Sequence, residues 1–94
     1  MRLRGKTDRN HAEIVRALRQ AGASVLSLAD VGQGCPDVMI GFRGRNMLAE
    51  IKDGLLPPSK KRLTPDELTF RAGWNGQVTT IETVTEALAL LNEV

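Results

Sequence analysis

Two short apolar segments flanking a polar hexapeptide constrain this chain more than anything else in it. The segments are Asp37-Val38-Met39-Ile40 and Met47-Leu48-Ala49-Glu50-Ile51-Lys52, with Gly41-Phe42-Arg43-Gly44-Arg45-Asn46 between them. Runs of this length around a Gly- and Asn-containing turn read as the two strands of a β-hairpin. Strand side chains alternate faces, so Glu50 and Lys52 point to one side and Ile51 to the other. A turn centred near Gly44-Arg45 sets Asp37 opposite Lys52 and one diagonal step from Glu50. Cross-strand neighbours of that kind lie roughly 5–8 Å apart, within reach of a shared metal ion. Two carboxylates so close repel, burial worsens the repulsion, and a divalent cation with a lysine beside it relieves it. The competing interpretation makes all three residues solvated strand-end charges, with Asp37 shaping a turn after Pro36.

Outward from the hairpin, the pattern predicts five further elements, two before it and three after it. A first helix runs from about His11 to Ala21, with Asn10 as N-cap, Glu13 closing a capping box and Gly22 ending the helix. Its apolar residues Ile14, Val15, Leu18 and Ala21 have helical spacing. Ser24-Val25-Leu26-Ser27-Leu28 alternates as a first strand. Pro57 and Pro58 exclude regular structure from 55–62, which reads as an exposed loop. Thr64-Pro65-Asp66-Glu67 starts a second helix carrying Leu68, Phe70 and Trp74, and Asn75-Gly76 ends it. Gln77 to Ile81 is a fourth strand. Thr83 with Glu86 opens a last helix whose Val84, Ala87, Leu88, Leu90 and Leu91 form a wide apolar face. The order α-β-β-β-α-β-α defines an α/β class.

Ninety-four residues form one domain, with 1–6 a flexible basic lead-in. So short a chain buries only ~60–65% of its extended surface, and a partner subunit would add to its stability. One cysteine, Cys35, excludes an internal disulfide; no apolar run is long enough to cross a membrane, and no apolar signal core follows the N-terminus. These features predict a soluble, cytoplasmic protein. Arg2, Arg4, Lys6, Arg9, Arg16 and Arg19 crowd the first 19 residues, Lys60-Lys61-Arg62 form a second cluster, and 72–94 hold Glu82, Glu86 and Glu93 with no base. Such asymmetry suits a polyanion such as DNA or RNA. With only Phe42, Phe70 and Trp74 as aromatics, contacts would go to phosphates rather than to stacked bases. Gly32 and Gly34 make no dinucleotide fingerprint, because Asp37 stands where the third glycine would be, and no nucleotide cofactor is expected.

The chain resembles the PD-(D/E)XK nuclease superfamily, in particular its small phage-type VRR-NUC (virus-type replication-repair nuclease) branch. Nearly the whole length carries the resemblance. It runs through Asp8-Arg9-Asn10-His11-Ala12-Glu13-Ile14-Val15, Val31-Gly32-Gln33-Gly34-Cys35-Pro36-Asp37 and Glu50-Ile51-Lys52-Asp53-Gly54. It continues through Leu63-Thr64-Pro65-Asp66-Glu67 and Trp74-Asn75-Gly76. The resemblance implies a restriction-endonuclease-like core, a mixed central sheet flanked by helices. It further implies that Asp37, Glu50 and the main-chain carbonyl of Ile51 hold Mg²⁺ or Mn²⁺ while Lys52 orients or polarises the attacking water. Hydrolysis would leave a 5′-phosphate and a 3′-hydroxyl. Relatives of this size pair as two-fold dimers and cleave four-way junctions. The implied protein is therefore a homodimeric, Holliday-junction-resolving type endonuclease of phage or prophage origin, working in the bacterial cytoplasm. A flap or nicking nuclease, and a non-catalytic domain that binds structured DNA, are the alternatives.

Two positions depart from the family. His11 aligns best with an acid on helix one that often completes the metal shell, while Glu13, two residues on, is the nearest acid. A histidine there would tilt preference toward Mn²⁺. Glu67 stands where many relatives carry Gln, and its charge disfavours a nearby phosphate. Ser59, Lys60, Lys61 and Arg62, with Arg9, are the expected DNA contacts. Cys35 reads as a small packing residue rather than a nucleophile.

Overall fold

Alternation along the hairpin strands decides the layers. In the computed structural model, which describes residues 8–94, the elements are α1 (His11–Gln20), β1 (Ser24–Ser27), β2 (Val38–Phe42), β3 (Arg45–Ile51), α2 (Pro65–Gly73), β4 (Val78–Ile81) and α3 (Val84–Asn92). The lead-in expected at 1–6 lies outside the described residues. Val38, Ile40, Met47, Ala49 and Ile51 share one face, and all are buried against Ile14 and Leu18 of α1 and Ala87 and Leu91 of α3. Met39, Leu48 and Glu50 take the opposite face. There α2 crosses the sheet, with the Arg71 guanidinium donating to Thr80 Oγ1, 3.1 Å, on the strand residue paired with Glu50.

The sheet order is β1-β2-β3-β4, antiparallel through β3 and parallel between β3 and β4. It is a mixed sheet in the expected α-β-β-β-α-β-α order. The hairpin register differs from the sequence expectation. Phe42 pairs with Arg45, so the turn is Arg43-Gly44, and both residues have positive φ, 51° and 78°. This is the two-residue turn whose twist matches that of the strands, and it overrides the looser turn centred one residue later. Val38 pairs with Ala49, so the register carries Asp37 opposite Glu50, not opposite Lys52.

Helix ends follow the sequence except at two: α2 stops at Gly73, short of the expected Asn75-Gly76, with Trp74 already extended, and the start of α1 is not capped as expected. Gly22 at φ 100° closes α1 in a Schellman arrangement, with Ala23 N–H donating to Leu18 O and Gly22 N–H to Arg19 O, both 3.0 Å. Thr64 and Glu67 form the full capping box of α2, and Thr83 Oγ1 accepts from Glu86 N–H in α3. Asn10 does not cap α1. Its side chain turns away from the helix, and Nδ2 donates to the carbonyls of Lys52 (3.1 Å) and Glu82 (2.8 Å). The capping box read into Asn10 and Glu13 is therefore corrected: joining two strand exits outweighs satisfying one helix amide. Glu82 collects further contacts, since its Oε1 accepts from Lys61 Nζ at 2.9 Å and its N–H donates to Glu86. Within the expected loop, Pro58–Lys60 makes one 3₁₀ turn.

Candidate metal centre

The centre forms where β2 begins and β3 ends. Asp37 Oδ2 accepts from the backbone N–H of Ile51 at 2.7 Å, which fixes the carboxylate against the end of β3. A strand residue sends its N–H and C=O to the same edge, so the Ile51 carbonyl leaves on the side that Asp37 occupies. The next N–H, of Lys52, turns the other way to Ile81 O at 3.0 Å. Glu50 is only 5% exposed. Burial pushes its carboxyl up from 4.5 to about 9, helped by a hydrogen bond with Asp37, then by the charges of Asp37 and Glu67, and opposed by Lys52. Without a cation, the pair resolves its repulsion by keeping a proton on Glu50.

Lys52 shares the Glu50 face and donates from Nζ to Glu67 Oε1 at 3.2 Å. The same Oε1 accepts from Thr64 N–H at 2.8 Å, so the carboxylate that caps α2 also holds the amine. Gly34 explains how α2 comes this close. Its φ is 80°, and a Cβ there would strike the Asp66 carbonyl and sit 2.9 Å from Glu67 N. The turn leading to Asp37 thus lies directly on the first turn of α2. Cys35, half-buried beside the pair, has its thiol pushed up by burial and by the charges of Glu50 and Asp37, which keeps it protonated.

The other candidates lie apart from this cluster. α1 packs on the face opposite Glu50. His11 borders a groove with Arg16, Arg19, Ser27 and Val38, whereas Glu13 borders a separate hollow with Arg9, Asp53 and Glu82. Arg9 grips Asp53 through two bonds, 2.9 and 3.0 Å, and together with the Leu55 N–H it holds that carboxyl below its usual range. Of the expected DNA-contacting loop, Ser59, Lys60 and Arg62 are exposed, and Lys61 is paired with Glu82. The residue that sequence reasoning undervalued is Glu67. Its capping role was legible, but its reach to Lys52, across fifteen residues, depends on how α2 docks.

Among the described residues, no three His, Cys, Asp or Glu side chains form a ready-made cage. A cation here would rest on Asp37, Glu50, a main-chain oxygen and water. Mg²⁺ is commonly held in this way, by one or two carboxylates with several retained waters. The donors fit a hard cation: they are oxygens, and Glu50 is buried at an electrostatic disadvantage that a positive charge would remove. No helix among the described residues is long and apolar enough to cross a membrane. Comparison with family models, characterised proteins and solved structures found no match.

Proposed function

We propose that this chain is a Mg²⁺- or Mn²⁺-dependent endodeoxyribonuclease of the PD-(D/E)XK type, close to the VRR-NUC branch, acting on branched DNA with four-way junctions favoured. The observation that carries the proposal is the pairing of buried Glu50 with half-buried Asp37, with Lys52 on the same face of the sheet. A bound cation would supply charge neutralisation at the scissile phosphate and acidify a coordinated water. Asp37 and Glu50 would hold it, with the Ile51 carbonyl as a third oxygen. Lys52, a compact charge on the same side, would orient the water and stabilise the developing negative charge. Two copies would offer two such sites for two strands. α2 supports pairing, because it buries none of its residues and leaves Leu68 55% and Trp74 46% exposed.

The Lys52–Glu67 pair favours a second reading, a structured-DNA binder without turnover, since it occupies the amine the reaction needs. Cleavage of a labelled four-way junction with Mg²⁺ or Mn²⁺, beside linear duplex and an Asp37→Ala control, separates the two. The nuclease reading expects metal-dependent cutting that Asp37→Ala and Lys52→Ala both lose, with Lys52→Ala still binding metal and DNA. Calorimetry should register Mn²⁺ heat for the wild type and none for Asp37→Ala. Binding of the junction with no cutting under either metal would establish the second reading.

A further inference from the structure

A groove of about 640 Å³ runs between α1 and β1, and its polar lining is cationic or neutral: His11, Arg16, Arg19, Gln20 and Ser27. Val15 and Val25 form its apolar floor, and none of the described residues lining it is acidic. We infer that this groove is a second DNA-backbone site, in which Arg16 and Arg19 receive successive phosphates of a strand that reaches the Asp37–Glu50 face only by passing the end of the sheet. The inference rests on the nuclease reading for its direction but not for its chemistry.

Three observations support it. First, three of the other cations among the described residues are held by carboxylates: Arg9 by Asp53, Lys52 by Glu67, Lys61 by Glu82. Arg16 is exposed and has no such partner among the described residues. Arg19 donates one Nη2 hydrogen bond to Val25 O, 2.9 Å, which lays the guanidinium along β1 and leaves its other N–H groups for a ligand. Second, the spacing fits. His11 to Arg19 covers eight residues, ~12 Å of helix axis at ~1.5 Å each. Phosphates follow one another every ~3.4 Å of duplex axis along a strand, so three or four lie within that reach. Third, the groove borders the start of the strand that follows Asp37, on the face of the sheet opposite Glu50. Ser27 pairs with Val38, the residue after Asp37, and Leu28 N–H donates to Asp37 O at 2.8 Å. Asn10, just before His11, holds the carbonyl of Lys52.

The test is fluorescence-anisotropy binding of a four-way junction by the full chain, in Ca²⁺ or EDTA so that nothing is cut, across a salt series. Arg16→Gln alone, Arg16→Gln with Arg19→Lys, and Arg16→Gln with Arg19→Gln are compared, with thermal unfolding and sedimentation confirming fold and assembly. Each lost phosphate contact should reduce the log–log salt slope by about one and weaken binding roughly tenfold at low salt. Arg16→Gln should thus show one such step and the double Gln variant two. Arg19→Lys should restore most of the second. A folded double variant with unchanged slope and affinity overturns the inference, whatever its nuclease activity. Wild-type binding with these losses but no cutting in Mg²⁺ or Mn²⁺ upholds the groove while sinking the nuclease reading. A wild type that binds no DNA overturns both. Equal losses on an acidic polypeptide, with none on DNA, would assign the groove to a protein partner instead.

Discussion

Replacing Glu50 with Gln should stabilise the metal-free protein at neutral and alkaline pH and leave it nearly unchanged at about pH 4. Glu50 is 5% exposed, and its carboxyl is raised from 4.5 to about 9, mainly by burial and then by Asp37. Below its ordinary value the folded and unfolded states both keep the proton, so no penalty arises. As pH rises toward about 9, the unfolded chain releases the proton while the folded one retains it. Stability therefore falls by ~1.4 kcal/mol per pH unit across that window. At about pH 7 the accumulated penalty is on the order of 3 kcal/mol. Gln keeps an N–H to donate to Asp37 and has nothing to ionise. Thermal unfolding in EDTA should show the two proteins melting together at about pH 4. By about pH 7 the variant should melt roughly 15 °C higher, the shift that ~3 kcal/mol produces in a domain of this size. Added Mn²⁺ should then raise the wild type and leave the variant unmoved. Melting temperatures that differ by the same amount from about pH 4 to about pH 7 would refute the buried-proton argument.

Three other outcomes follow from the packing. Gly34→Ala should lose roughly 2–3 kcal/mol in urea unfolding, because its Cβ meets the Asp66 carbonyl, whereas Gly32→Ala meets nothing within 4 Å and carries only left-handed strain; equal losses would disprove the close approach. Asn10→Ala should destabilise by roughly 1–3 kcal/mol by leaving two part-buried carbonyls without this donor. Asn10→Asp should be worse, because a carboxylate would then face those carbonyl oxygens. Neutralising Lys60 and Arg62 should lower the salt slope of DNA binding by about two, while neutralising Lys61 should barely alter it, since Lys61 is held by Glu82; identical slopes for all three would show that the ion pair opens on binding.

Local chemistry was legible in the sequence, and distant pairing was not. Thr64-Pro65-Asp66-Glu67 and Thr83 with Glu86 announce their helices because a cap and its partner lie three residues apart. Alternation placed Glu50 and Lys52 on one face for the same reason. The hairpin register went wrong by two residues because Arg43 adopts a left-handed conformation usually left to glycine or asparagine. Asn10 looked like a cap because nothing nearby reveals that Lys52 and Glu82 end up within reach of its amide. Glu67 looked like an intruder near phosphate, and its hold on Lys52 depends on a docking that Gly34 permits.

The amide of Asn10 binds Glu82 across 72 positions of chain. At a synthesis rate of roughly 5–20 residues per second, about 4–14 s separate the two on the ribosome. Throughout that delay Ile14 and Leu18 have neither Ala87 nor Leu91 to pack against. The nascent first helix therefore waits as an exposed greasy stripe, and the last quarter of the polypeptide times the maturation of the first.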